Sequence, residues 1–233
     1  MISNSNRTAR DATELLGARP DHVRVIHLGC DPVELAAVTP DERNATRAKL
    51  RWDERPWVGF VGQLGNRVKG FDTLYAAWRE LCAAPAWDAN LAVIGDGRTR
   101  RAWERRANAD GLEGRIRFLG FRSDVPALLA GCDALVAPSR YDAYGLAAHE
   151  ALCRGLPSIV SAASGVSERY PPEFADLILT DPESARELAE RLRHWRADLD
   201  GHAVRIRPLS DSLRSRTWAD MARDIRDAIL SAP

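Results

Sequence analysis

Residues 133–162 read DALVAPSRYDAYGLAAHEALCRGLPSIVSA. An apolar run, DALVAPS, passes into a loop carrying Arg140, Tyr141 and Asp142, and Gly145 leads into a helical pattern, YGLAAHEALCRG. Gly155 closes that helix, where a glycine costs least, and a second apolar run, LPSIVSA, follows. Short runs that are apolar almost end to end are strands buried on both faces rather than one. Two such strands joined through a helix form a parallel pair with a crossover.

The same grammar extends outward in both directions. Toward the amino end lie HVRVIHL as a strand, DERNATRAKL as a helix with an acidic first turn and a basic end, WVGFVGQLG as a strand, and FDTLYAAWRELCAA as a helix with Leu74, Trp78 and Leu81 on one face. NLAVIGDG and RIRFLGF read as strands on either side of the charged helix RTRRAWERRANADG, and DVPALLAGC as a short helix. Toward the carboxyl end come the strand DLILT and the helix SARELAERLRHWRADL, with Leu188, Leu192, Trp195 and Leu199 at helical spacing. The last helix, TWADMARDIRDAIL, carries Trp218, Met221, Ile225 and Ile229 on one side. Alternating strands and helices predict an α/β fold with a doubly wound parallel sheet. In such sheets ligands bind beyond the carboxyl ends of the strands, so the strand-to-helix loops are where chemistry is expected.

The chain of 233 residues is 45% hydrophobic and 28% charged with a formal net charge of zero, which disfavours a nucleic-acid or anionic-membrane surface as its main business. Cys30, Cys82, Cys132 and Cys153 are far apart with no CxxC pair, so neither zinc nor a disulfide framework is signalled. They read as free thiols of a cytoplasmic protein. No apolar run reaches the length of a membrane span.

Three loops carry unusual residues. After the strand at 57–61, Gly62 and Gly65 allow close backbone approach, and Arg67 and Lys69 place two cations before a helix start, a pattern suited to a diphosphate. The order is neither GxxxxGK[ST] nor GxGxxG, and both cations could equally be solvated. GDG at 95–97 reads as a tight turn first and a ligand approach second. In the third loop, amide hydrogens near Tyr144, Gly145 and Leu146 would favour an anion, with Asp142 before the helix and Glu150 inside it as acceptors for hydroxyls. An acid at a helix start and a solvated Glu is the simpler alternative. His149 reads as a helix histidine rather than a base.

Taken together, VGQLGNRVKGFDTL, LAVIGDG, RIRFLGFRSDV and PSRYDAYGLAAHEALCRGLPSIVS resemble, in order, the motifs of the carboxyl-terminal, Rossmann-like domain of family 4 glycosyltransferases, which have the two-domain GT-B fold. The resemblance implies a retaining hexosyltransferase-type enzyme that uses a nucleoside diphosphate sugar as donor, with no cofactor and no required metal. It implies that Arg67 and Lys69 hold the diphosphate with Gly62, Gln63 and the amides of Tyr144, Gly145 and Leu146. Glu150 would hold the ribose, Phe121 and Arg122 would face the base, and Asp142 would contact the donor sugar, making Arg67, Lys69 and Asp142 the catalytic set. Two positions depart from the family pattern. Asp142 stands where the family has Glu, and Gln63 stands where an Arg is usual, leaving Arg67 as the replacement cation.

The resemblance divides the chain into 1–33, the last strand and helix of an amino-terminal domain with its linker; 34–212, the nucleotide-sugar-binding domain; and 213–233, a carboxyl-terminal helix. The acceptor domain would then be largely missing or supplied by a separate chain. The alternative is a non-catalytic or regulatory nucleotide-binding module that pairs with another glycosyltransferase chain.

Overall fold

The computed structural model describes residues 1–231. In chain order the elements are β1 (Ile2–Ser3), α1 (Asn6–Glu14), β2 (Arg24–Val25), α2 (Pro40–Leu50), β3 (Trp57–Val61), α3 (Phe71–Cys82), β4 (Asn90–Ile94), α4 (Arg100–Ala109), β5 (Ile116–Gly120), α5 (Val125–Leu129), β6 (Ala134–Ala137), α6 (Leu146–Cys153), β7 (Ser158–Ser161), β8 (Ile178–Leu179), α7 (Ala185–Ala197), α8 (Leu199–Arg205), α9 (Arg207–Arg214) and α10 (Trp218–Leu230). Six parallel strands form the main sheet in the order β5-β4-β3-β6-β7-β8. The chain works outward from β3 through β4 to β5, then returns to the other side of β3 and works outward again. Successive crossovers therefore leave β3 and β6 in opposite directions, opening a crevice at their carboxyl ends.

Burial explains the strand composition. Every residue of β4 and β7 is buried, as helices on both faces require. On one face α3 and α7 pack together and enclose Trp78 and Trp195, both fully buried. α6 lies against β6, β7 and α9, with all but Leu146, Ala147 and Glu150 of its residues buried. No described helix is long and apolar enough to cross a membrane.

Several boundaries differ from the sequence expectation. HVRVIHL contributes only Arg24–Val25, because its one partner strand among the described residues is the two-residue β1. DLILT likewise shortens to Ile178–Leu179, paired only with β7 at the sheet edge. The helix expected to run through Leu199 stops at Ala197, since Asp198 turns out of helical geometry and its side chain accepts the Gly201 amide at 3.0 Å to cap α8. α8 and α9 went unread, and the expected boundary at 213 falls inside α9. α10 starts at Trp218, behind a capping box of Thr217 and Asp220.

Residues 1–33 join the rest through specific bonds. Ser5 Oγ donates to the Ala143 carbonyl at 2.6 Å, and Glu168 accepts the Asn6 amide at 2.9 Å. Cys30 makes a backbone bridge to Thr217, which brings α10 back across this segment. None of the residues of α10 is buried, and its far end forms a cavity of about 450 Å³ with Met1, Ile2 and His22.

His149 is packed within α6, its Nδ1 3.2 Å from the Tyr144 hydroxyl and its Nε2 3.6 Å from Cys153 Sγ. Burial, helped by the positive charge of Arg169, pushes its pKa down to about 4. An unfolded chain would protonate near the ordinary value of about 6.5, so in the window between these values the unfolded state binds more protons. Stability contributed by neutral His149 is thus present above that window and lost as pH falls through it. Urea unfolding between pH 7 and 4.5 should show a steeper loss of stability for the wild type than for His149→Asn, and equal slopes would refute this origin.

Candidate functional site

The crevice beyond β3 and β6 contains two adjoining chambers. The first, about 360 Å³, is lined by Gly62, Lys69, Ser139, Asp142, the start of α6 from Gly145 to Ala148, and Glu150. The second, about 420 Å³, is lined by Gln63, Gly95, Asp96, Phe121 and Arg122. Val61, Gly62 and Val125 face both chambers, so the two form one crevice.

The loop after β3 is held in shape by backbone bonds. Gly62 N–H donates to Ile94 O at 3.0 Å and Leu64 N–H to Asp96 O at 2.9 Å, which extend the β3–β4 ladder into the loop. The Arg140 amide donates to Val68 O at 2.8 Å, joining this loop to the one after β6. Gly70 caps α3 with φ of 69°, and a Cβ there would stand 2.0 Å from the Pro138 carbonyl oxygen, so only glycine fits. These contacts deliver Lys69 to the first chamber.

On the opposite wall Gly145 precedes α6 with φ of 100°, and a Cβ there would lie 2.6 Å from Ser164 Oγ. The first amide of the helix ladder is that of His149, bonded to Gly145 O at 3.0 Å. The amides of Leu146, Ala147 and Ala148 are therefore left open at the chamber wall. An anion placed there would meet unpaired N–H groups and the positive end of the helix.

The acids behave differently from one another. Asp142 accepts Lys69 Nζ at 2.6 Å, with the Asp142 side chain 18% and the Lys69 side chain 34% exposed. Glu150 lines the same chamber, yet none of the hydrogen bonds among the described residues uses its carboxylate. Burial, with the nearby charge of Glu34, holds its pKa above the ordinary Glu value. A half-buried acid without a partner costs stability and offers two acceptor oxygens to whatever enters.

Arg67 does not take the place the sequence suggested. Its side chain is 70% exposed and donates to Asp72 at 2.7 Å and to Glu183 at 2.9 Å, two carboxylates outside the crevice that hold it there. The Tyr144 ring is buried against His149, and Tyr144 lines neither chamber. Lys69, Gly62, Gly145, Leu146, Asp142 and Glu150 are brought together in the first chamber, and Gln63, Phe121 and Arg122 in the second. Arg122 is tied to Asp124 by two bonds of 2.8 and 2.6 Å, and Phe121 is 78% exposed. GDG makes its turn, with Asp96 accepting the Gly97 amide at 2.7 Å, while Gly95 also faces the second chamber.

Sequence reasoning passed over Arg140. It binds Asp72 through two bonds of 2.7 and 2.9 Å and also pairs with Glu183. Burial alone would raise the Asp72 pKa, but the bonds from Arg140 and Arg67 outweigh it and keep it low. An Arg inside SRYD carries no sign of such a task, because its carboxylate partners are distant in sequence. Ser139, Ala147 and Ala148 were missed for a plainer reason, since small residues leave no signature.

Known proteins resemble this chain in sequence and in fold. Over 97% of its length the chain is 28% identical to half of a D-inositol 3-phosphate glycosyltransferase from Salinispora tropica. Over 69% of its length it is 34% identical to 40% of a GDP-mannose-dependent alpha-(1-6)-phosphatidylinositol dimannoside mannosyltransferase from Mycobacterium tuberculosis. The chain thus spans about half the length of the curated relatives it matches, or less. Its fold matches that of HepE from Anabaena, solved in complex with UDP-glucose, with a TM-score of 0.85 at 25% identity over 99% of this chain and 63% of that one. The family described as glycosyl transferases group 1 matches residues 55–198, the whole stretch that builds the crevice, and the chain belongs to it.

Proposed function

We propose that this chain is the donor-binding, carboxyl-terminal half of a GT-B, family 4 glycosyltransferase that retains configuration at the transferred sugar. The observation that carries this reading is one chamber, at the switch point of the sheet, containing a lysine, a row of open helix amides and an unpaired carboxylate. That set complements a nucleoside diphosphate: anion at the amides and Lys69, ribose diol at Glu150, base in the second chamber beside Gly95, Phe121 and Arg122. The sugar lies toward Asp142. UDP-glucose in HepE and GDP-mannose dependence in the mycobacterial relative support the donor class and leave the base open between uracil and guanine.

The chemistry asks for charge stabilisation rather than a covalent nucleophile. As the glycosidic bond breaks, negative charge grows on the departing β-phosphate. The amides of Leu146, Ala147 and Ala148 face that charge without reorganising, with Lys69 beside them, and one such oriented donor is worth about 3 kcal/mol. No metal ion is required in this reading. The acceptor is held by a further domain facing the crevice, from this polypeptide or from a partner chain.

Calorimetric titration with UDP, GDP and ADP should find at least one of them binding at sub-millimolar levels, and silence from all three at millimolar concentration would remove the reading. Glu150→Ala should weaken that nucleotide by about tenfold or more, the usual loss for a hydrogen bond to a charged group, while inorganic pyrophosphate is affected much less. Equal losses would refute the ribose assignment.

Glu150 also makes a stability prediction of opposite direction. Its raised pKa means that the folded state holds the proton more tightly than the unfolded chain. Its contribution is then favourable at low pH and lost as pH rises through the carboxylate range. Glu150→Gln should raise the melting temperature at pH 7 by roughly 2 °C and by nothing near pH 4. A destabilised variant at pH 7 would show that the carboxylate is a structural acceptor instead.

A further inference from the structure

We propose that Asp142 is the counter-ion of Lys69, and that this pair makes the site prefer a sugar-bearing donor to the bare nucleoside diphosphate. The inference rests on the donor-binding reading above and adds a residue that sets which ligand the site favours.

The pair is built, not incidental. Lys69 Nζ and Asp142 Oδ2 are 2.6 Å apart and both groups line the first chamber. Neither backbone is free to withdraw. The Lys69 loop is fastened by the Arg140 amide to Val68 O at 2.8 Å and by the Gly70 amide to Arg67 O at 3.0 Å. Asp142 forms a parallel bridge with Ser164, and its carbonyl accepts the Gly165 amide at 3.1 Å.

No other cation relieves Lys69. Arg67 and Arg140 are taken up by Asp72 and Glu183, and Arg122 by Asp124. Among the described residues Lys69 is the one cationic side chain lining the first chamber, where it faces two carboxylates, Asp142 and Glu150. A diphosphate arriving there finds its lysine already neutralised.

Taking Lys69 for phosphate leaves the Asp142 carboxylate short of a partner in a mostly buried position, which is unfavourable. A sugar on the diphosphate supplies hydroxyl donors that replace the lost bond. A bare nucleoside diphosphate has none at that place. The same ammonium thus discriminates between donor and spent nucleotide through the acid beside it, and after transfer Asp142 competes for Lys69 and favours release of the product.

The test compares wild type with Asp142→Asn by calorimetry against UDP, UDP-glucose, GDP, GDP-mannose and inorganic pyrophosphate. Asparagine keeps the shape and removes the charge. The variant should bind the bare nucleotide and pyrophosphate about tenfold tighter, a change of the size expected for one charged hydrogen bond, while the nucleotide sugar binds no tighter. Nucleotide binding that is weakened, or changed equally for nucleotide and nucleotide sugar, overturns the proposal and leaves the donor-binding reading intact. Silence from every ligand in both proteins overturns both together. A double-mutant cycle of Asp142→Asn and Lys69→Met on thermal unfolding reads the pair with no ligand present, and a coupling of zero also overturns it.

Discussion

The bidentate bond from Arg140 to Asp72 is the interaction on which the crevice depends. Arg140 belongs to the loop after β6 and Asp72 to the first turn of α3, so the bond fastens the two sides of the sheet's switch point to each other. Parallel strands alone would not do this. The ladder fixes β3 against β6 only as far as its last hydrogen bond, and beyond it the two loops are joined by the Arg140 amide to Val68 O and by this side-chain bond. A planar guanidinium gripping one carboxylate by two bonds sets distance and orientation at once. Glu183, reached from just before α7, adds a third element to the same knot.

That knot has an electrostatic consequence. Two guanidinium groups, Arg67 and Arg140, meet two carboxylates, Asp72 and Glu183, and the cluster is neutral as a whole. The cations that a reader of the sequence would assign to an anion are spent on architecture. What remains for the first chamber is Lys69 with the open amides of α6, and amides have the advantage of being unable to move or lose their polarity. The electrostatics of that chamber are therefore set by a helix terminus and one ammonium, with Asp142 and Glu150 beside them. Glu150 adds a second acid to the same chamber, half-buried and held above the ordinary Glu pKa by burial and the charge of Glu34.

The sequence announced the sheet clearly, because buried parallel strands leave continuous apolar runs that little else in a chain imitates. β3, β4, β6 and β7 fall inside the runs WVGFVGQLG, NLAVIGDG, DALVAPS and LPSIVSA. HVRVIHL has the same look but forms only a two-residue strand, since strand formation depends on what lies alongside, and composition cannot report a neighbour. The break at Asp198 was hidden because the pattern Leu192, Trp195, Leu199 stays in helical phase across it, while the cap that makes the break is a single side-chain bond to Gly201. In the crevice, glycines and acids were legible since few other residues can take such places. Arg67 and Arg140 were misjudged or missed because a cation's role is decided by the carboxylates within its reach. Two of the partners come from α3 and from the segment before α7, which only the fold brings together.

The amino-terminal segment enters this account as more than an appendage. Ser5 bonds the Ala143 carbonyl, Tyr141 donates to Asp11 at 2.8 Å, and the Arg7 guanidinium lies 4.7 Å from the centre of the Tyr141 ring. Tyr141, Asp142 and Ala143 are consecutive, so the residues on either side of the Lys69 counter-ion are held by α1 and its cap. A displacement of α1 would therefore be passed to Asp142 through its own peptide bonds, with no chain of intermediate side chains required. The backbone at Asp142 is restrained on one side by the Ser164 bridge and on the other by the contacts of Tyr141 and Ala143 with α1 and its cap, and from there its carboxylate meets Lys69.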